Sequence, residues 1–352
     1  MTTVIVVAHS APARERATTL FAGSETAVRI HSGDNRAELL RAAWRLVRRR
    51  RSALYLVDIG QSTAVLAVLG YLARRPVVVD TGDLVYELER SRGARSRVGL
   101  ALVWAGERAA LSCASHIVVR GSEHLEHLGR RPATLAPDLA PANARPVDGS
   151  AVREALGITG RFVIGMVGSM NAAPRLGTTY GWEIVEALNH LDDRFAAVFV
   201  GDGPGRAYLE RRAVELGVLE RCRFVGAVHG ESALRFIGAF DVGISTQTND
   251  RVGAVRTTGK LALYLACGCP VLATDVGEAR RLVGPLGWTV RYDGVVDRAY
   301  PERLAARVRE LADAPDGAEN RRAEALSLHA REFDPTVVRQ RVHTALSALL
   351  EA

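Results

Sequence analysis

The feature that most constrains the fold is a recurrence of short, continuously apolar runs rich in β-branched residues, separated by longer stretches with helical spacing. The runs are "TVIVVAH", "ALYLVDI", "PVVVDT" and "HIVVR" in the first half, then "FVIGMVG", "AAVFVGDG", "RFVGAV", "DVGIST", "PVLATD" and "GWTVRYD" in the second. Strands without polar alternation are buried on both faces, which means parallel sheets covered by helices. Each half supplies its own set. A chain of 352 residues also exceeds the roughly 250 to 300 residues at which one core stops growing. The sequence therefore predicts an α/β protein of two Rossmann-like domains facing each other across a cleft.

Between the two sets, "RRPATLAPDLAPANARPVDGS" (130–150) is rich in Pro and Ala and follows neither period, so it reads as the linker. The expected boundaries are an N-terminal domain over 1–140, a C-terminal domain over 141–333 and a closing helix over 334–352. That helix opens at Asp334-Pro335 and continues with apolar spacing at Val337, Val338, Val342, Leu346 and Leu349.

Charge and cysteine usage narrow the function. A formal net charge of +7 favours anionic partners: phosphorylated substrates, nucleic acid or an acidic membrane surface. No aromatic and basic platform or nucleic-acid reading motif accompanies the charge, which argues against nucleic acid. No apolar run reaches the roughly 20 residues of a membrane span, and the start reads as a strand rather than a leader, so a cytoplasmic protein is expected. Cys113, Cys222, Cys267 and Cys269 lack paired metal spacing and are expected to be reduced, packed thiols.

One residue stands apart. Of the 46 lysines and arginines, Lys260 alone is a lysine, and it lies in "AVRTTGKLALYLACGCPVLATD". The loop "QTNDRVGAVRTTG" follows a predicted strand, and "KLALYLACG" reads as a helix ended by Gly268. Thr257, Thr258 and Gly259 then sit at a helix N-terminus, where free amides and the helix dipole attract phosphate oxygens. A compact ammonium suits a phosphate oxygen where a guanidinium fork needs more room. Two further turns follow strands in the same half: "IGMVGSMNAAPRLG", with Gly168 and Arg175, and "VFVGDGPGRAYLE", with Gly201, Gly203, Gly205 and Arg206. Glycine turns also occur merely to reverse the chain, so the three loops together carry the expectation of an anion site.

From about residue 161 to 283, the order "VIGMVGS", "WEIVEAL", "AVFVGDGPGRAYLE", "RCRFVGAV", "FDVGIST" and "LYLACGCPVLATDVGEARRLV" resembles the donor domain of a retaining GT-B glycosyltransferase of the family-4 type (glycosyl transferases group 1). In the first half "GERAALSCASHIVVRGSEHL" resembles the helix, strand and serine turn of such acceptor domains. The resemblance implies a nucleotide-sugar donor held in the C-terminal half, with its base near Val228 and His229. It implies a diphosphate near Gly168, Arg175 and the amides of Thr257 to Lys260, and neither metal nor other cofactor. The family's two glutamates fall at Val255 and Leu263, so both carboxylates are missing, and Asp250 or backbone groups are the candidate replacements. The usual Gly-Gly loop after the first strand is replaced by "HSAPARERA", where Arg14 or Arg16 is a candidate diphosphate contact; the competing reading is solvated charge on the first helix.

Candidate catalytic groups lie at strand ends of the first half. Asp83, in "VVVDTGDLVYELERSRG", is preferred over Asp80 for positioning or deprotonating an acceptor, with helix capping as the competing role. His9 ends the first strand and is read either as a base or as a structural group. His124 and His127, on a helix expected to be exposed, have no third ligand and are rejected as a metal site. "RAAWRLVRRRRSALYL" reads either as peripheral contact with anionic lipid through Trp44 and its arginines, or as a solvated helix whose Leu39, Leu40, Ala43 and Val47 pack on the sheet.

The expected activity is retaining, metal-independent glycosyl transfer from a nucleoside-diphosphate sugar to a small acceptor, as in natural-product biosynthesis. Alternatives are a sugar-nucleotide epimerase, a membrane-lipid glycosyltransferase, and a non-catalytic nucleotide-sugar-binding partner subunit.

Overall fold

The structure is a computed structural model. It describes residues 3–24, 27–32, 35–48, 52–173, 177–228, 230–314 and 317–351. The chain divides into two compact units, residues 1–139 with 255–257 and 332–352, and residues 140–254 with 258–331.

In the first unit the order is β1 (Thr3–Ala8), α1 (Ala11–Phe21), β2 (Ala27–Ser32), α2 (Arg36–Arg48), β3 (Ser52–Val57), α3 (Gln61–Leu72), β4 (Val77–Thr81), α4 (Val85–Arg92), α5 (Arg97–Cys113), β5 (His116–Val119), α6 (Ser122–Leu128) and β6 (Ala133–Leu135). The strands form a parallel sheet in the order β2-β1-β3-β4-β5-β6. Successive residues of β1 point to opposite faces, as the period of a strand requires. Val4, Val6 and Ala8 meet Ala17 and Leu20 of α1, together with Val338 and Val342 of the C-terminal helix. Ile5 and Val7 meet Ala42 of α2, Ala67 of α3 and Ala110 of α5. With both faces covered, the runs need no polar alternation. Strand β6 lies within the stretch expected to be an unpatterned linker; its three residues pair with β5, too short a run to show periodicity.

The second unit continues with α7 (Ser150–Ala155), β7 (Phe162–Val167), β8 (Ala172–Ala173), β9 (Thr178–Thr179), α8 (Trp182–Leu188), β10 (Phe195–Val200), α9 (Arg206–Glu215), β11 (Cys222–Gly226), α10 (Glu231–Gly238), β12 (Val242–Ser245), α11 (Arg251–Ala254), α12 (Gly259–Ala266), β13 (Val271–Thr274), α13 (Gly277–Val283), β14 (Thr289–Val290), α14 (Tyr300–Asp313) and α15 (Gly317–Glu332). The main sheet runs β11-β10-β7-β12-β13-β14, with neighbouring strands parallel throughout. Counting from β7, this is the 3-2-1-4-5-6 order of a dinucleotide-binding sheet, whose direction of winding reverses between β7 and β12. The last helix, α16 (Pro335–Glu351), returns to the first unit, where the His343 imidazole hydrogen-bonds the carbonyl of Leu20 at 2.9 Å.

Candidate functional site

Open α/β sheets bind ligands beyond the carboxyl ends of their strands where the winding reverses. In the second unit that point carries the loops after β7 and β12. Helix α12 is drawn close to it by Tyr264, whose hydroxyl accepts a 2.8 Å hydrogen bond from the Val167 amide at the end of β7. Gly243 makes this possible, because a Cβ there would stand 2.7 Å from the Tyr264 ring. Lys260 precedes Tyr264 by four residues and so shares its helix face. Its ammonium is consequently carried over Gly168, with Cε 3.1 Å and Nζ 3.7 Å from where a Cβ at Gly168 would lie. A hydrogen bond of 2.9 Å between the hydroxyls of Ser245 and Thr258 ties the start of α12 to the end of β12.

The neighbouring loops interlock through glycine. Gly201 has φ +139°, and a Cβ there would lie 2.0 Å from the Gly168 carbonyl oxygen. Gly203 and Gly205 press on Met170, whose carbonyl accepts from the Gly205 amide at 2.7 Å. These three glycines thus set the backbone that carries Gly168 against the lysine.

The electrostatics follow from burial. Glu183, in the first turn of α8, is 4% exposed. Burial pushes its carboxyl up, while the Thr246 hydroxyl and the Lys260 ammonium oppose that shift. Lys260 is half-buried; its surroundings pull the ammonium below its ordinary value, and Glu183 partly restores it. No hydrogen bond or close ion pair to another described residue occupies the Lys260 ammonium. The Thr246 and Tyr300 hydroxyls are buried beside Glu183 without completed hydrogen bonds of their own. Sequence reasoning missed Glu183: it sits inside the apolar "WEIVEAL", where a carboxylate at the start of a helix looks like an ordinary N-terminal acid.

The other sequence candidates fall as follows. Gly168, Gly201, Gly203, Thr258, Gly259 and Lys260 come together at the carboxyl end of the sheet. Arg175 and His229 lie outside the described residues. Val228 is half-buried in the turn after β11. Arg206 is engaged by Glu210 at 2.7 Å and lies over the Phe224 ring. Asp250 builds the turn into α11: its Oδ1 accepts from the Thr248 hydroxyl at 2.7 Å and the Gly253 amide at 3.0 Å. Val255 is buried and Leu263 half-buried, at the two positions where the resemblance implies glutamates.

In the first unit the winding reverses between β1 and β3. His9 lies there, its Nε2 3.3 Å from the Thr63 hydroxyl and 3.4 Å from that of Ser62, and a Cβ at Gly60 would stand 3.1 Å from it. Arg14 reaches the His9 carbonyl at 3.4 Å and the Ser32 hydroxyl at 3.5 Å. Arg16 is not a solvated or ligand-facing charge. It is buried, donates to Asp80 at 2.8 Å, and donates to the carbonyls of Pro137 and Ala136 at 2.9 and 2.8 Å. Asp80 also accepts from the Tyr55 hydroxyl at 2.7 Å. Burial alone would raise this carboxyl, but Arg16 and Arg120 hold it below the usual carboxylate value.

Asp83 pairs with Arg256 at 2.7 Å rather than capping a helix. The amides of Val85 and Tyr86 at the start of α4 donate instead to Glu107, at 2.6 and 3.1 Å. Thr257 is held by its hydroxyl, which donates to the Arg120 carbonyl. His124 is buried, against the expected exposure, and burial lowers its pKa to about 4. His127 is exposed. Among the described residues no group of His, Cys, Asp and Glu is placed to hold a metal ion.

Residues 161–314 match the family model described as glycosyl transferases group 1. The 2-deoxystreptamine glucosyltransferase of Streptomyces kanamyceticus is 31% identical over 157 residues, covering 44% of this chain and 38% of that protein. The D-inositol 3-phosphate glycosyltransferase of Geodermatophilus obscurus is 28% identical over 226 residues, covering 59% of this chain and 49% of that protein. The chain thus spans half or less of the length of these curated relatives. Among solved structures, Anabaena HepE in complex with UDP and glucose superposes with a TM-score of 0.72 at 17% identity, covering 99% of this chain and 100% of that one. Sucrose-phosphate synthase from Thermosynechococcus elongatus gives 0.71 at 15% identity, with both chains fully covered. The chain has the GT-B fold.

Proposed function

We propose that the protein is a glycosyltransferase that moves a sugar from a nucleoside-diphosphate sugar to a small acceptor. The observation that carries this reading is the chain's one lysine, half-buried and without a close ion partner among the described residues, over Gly168 at the sheet's winding reversal. An ammonium and the first amides of α12 together suit the two phosphates of a donor. The relatives are named as glycosyltransferases, and two of those names give small polar acceptors, 2-deoxystreptamine and D-inositol 3-phosphate.

In the reaction the bond between the anomeric carbon and the β-phosphate oxygen breaks, and its electron pair leaves with the nucleoside diphosphate. Lys260 and the α12 amides stabilise that negative charge without a divalent ion. A preorganised donor of this kind is worth about 2.7 to 4 kcal/mol of barrier. The acceptor oxygen attacks the same face, its proton passes to a base, and configuration is retained. Asp83 and His9 are the candidates for proton transfer or acceptor orientation in the first unit, and Arg14 for a further phosphate contact.

A second reading, a nucleotide-sugar-binding subunit without catalysis, draws on the apolar residues Val255 and Leu263. Incubating the full chain with UDP-, GDP-, dTDP- and ADP-sugars and a panel of aminocyclitol and inositol acceptors separates the two. Transfer yields nucleoside diphosphate and an acceptor glycoside whose anomeric coupling, read by NMR, matches that of the donor. Tight donor binding with neither product would favour the subunit.

A further inference from the structure

Helix α5 is apolar over most of its length, yet of its 17 residues only Ala110 is fully buried. The helices beside it share this excess. Among the described residues, every large apolar side chain that is exposed lies on α2, α3 or α5, except Ile30, Tyr180 and Val214. On α3 the inner residues Leu66, Ala67 and Gly70 are buried, while Val65, Leu69 and Leu72 are 59%, 40% and 69% exposed. Spacings of four and three residues put these three on one outward stripe. Val98 and Leu102 form a similar pair on α5. Leu40 belongs with this surface rather than with the sheet, where it was expected: it is 71% exposed, and Leu39 and Ala43 make the inward contacts. The three helices cover the same face of the first unit's sheet, so the surplus apolar surface lies on one side of that unit.

The charges on these three helices are predominantly positive. Helix α3 has no charged residue between Gln61 and Leu72. Arg41, Arg45 and Arg48 lie on α2, and Arg97 and Arg108 on α5. The two acids of these helices are engaged: Glu38 by His31 and Arg41, and Glu107 by the α4 amides. Trp44 and Trp104 are exposed here, each under a guanidinium, Arg48 at 4.7 Å and Arg108 at 5.3 Å from the ring centre. The chain's other tryptophans, Trp182 and Trp288, are buried. Tryptophans at the boundary between an apolar stripe and cations have the chemistry of a lipid headgroup region.

We propose that the outer face of α2, α3 and α5 docks on an anionic lipid surface, with the α3 and α5 stripes at the headgroup boundary and the arginines on lipid phosphates. Charge complementarity selects this occupant over a second copy of the chain, because two such faces would oppose arginine to arginine. The inference is independent of the transferase reading, since docking needs no donor and no turnover.

The test is co-sedimentation of the full chain with phosphatidylcholine vesicles, with and without phosphatidylglycerol, at low and high salt. Binding is expected only with phosphatidylglycerol, is expected to weaken at high salt, and is expected to fall about five-fold for each arginine replaced in R97Q and R108Q. The V98D/L102D variant, altered only at exposed positions and checked for folding by circular dichroism, is expected to lose binding. The proposal is overturned if the folded wild type ignores anionic vesicles, or if V98D/L102D binds them as well as wild type does. It is equally overturned if sedimentation equilibrium shows a dimer that this variant dissolves, since the face would then receive a second copy.

Discussion

Substituting Gly201 by alanine tests whether loop interlock holds the site. The new Cβ would lie 2.0 Å from the Gly168 carbonyl oxygen and 2.8 Å from its carbon, both backbone atoms that no rotamer change can move. Reaching an ordinary separation of roughly 3.5 Å requires the two loops to part by about 1.5 Å. That movement strains the hydrogen bonds from the Gly168 amide to Val200 and from the Gly201 amide to Gly226, at 2.9 and 2.8 Å. Backbone strain at φ +139° adds about 1 to 3 kcal/mol, and forced overpacking a similar amount. The expected loss is therefore about 2 to 6 kcal/mol. Gly160→Ala is the control: its φ is +79°, and nothing lies within 4 Å of the added Cβ, so it suffers only the left-handed penalty of roughly 1 to 2 kcal/mol. Thermal melts followed by calorimetry should show the Gly201 variant losing about 10 °C and the control about 4 °C, at roughly 2 to 4 °C per kcal/mol. Equal losses would refute the interlock.

Other outcomes follow from buried groups. Asp80→Asn leaves Arg16 without its buried partner and is expected to lose about 3 to 5 kcal/mol in urea melts. Because the native Asp80 carboxyl is held below its unfolded value, its stabilisation is complete above the unfolded value and disappears as pH falls through the native one, so wild type and variant should converge in acid. Glu183 has the opposite sign: its native carboxyl is raised, so it loses stability as pH rises through that raised value. Glu183→Gln should thus be at least as stable as wild type near neutral pH and should flatten the pH dependence; lower neutral stability would contradict the assignment. Burial pushes the thiols of Cys222 and Cys267 up to about 12 and about 11, and that of Cys269 further in the same direction. A thiol-reactive dye should therefore label Cys113 alone in the native protein and all four cysteines in denaturant.

Much of the fold is readable from the apolar runs because strands covered on both faces need no polar alternation. The stretch "AVRIHS", which forms β2, escaped because it is an edge strand with too few apolar residues to stand out as a continuous run and no strict alternation, His31 and Ser32 being adjacent. The placement of Lys260 was legible from the order strand, loop, glycine, lysine and helix. The residues around it were not, because they depend on contacts distant in sequence. Tyr264 reaches Val167 across 97 positions, and Arg16 reaches Pro137 across 121. Nothing local distinguishes Arg16 from its solvated neighbours on α1, or Asp80 from a strand-end acid open to solvent. The orientation of Leu40 was similarly hidden, since a leucine next to an inward leucine fits either side of a helix.

The most direct test of the central claim is calorimetric titration of UDP, GDP, dTDP and ADP into the wild type and Lys260→Met. A hydrogen bond from a charged donor contributes about 1.5 to 3 kcal/mol, so one diphosphate is expected to bind the wild type, and to bind the variant roughly 10- to 150-fold more weakly. Equal affinity for both proteins, or no diphosphate bound by folded wild type, would contradict it.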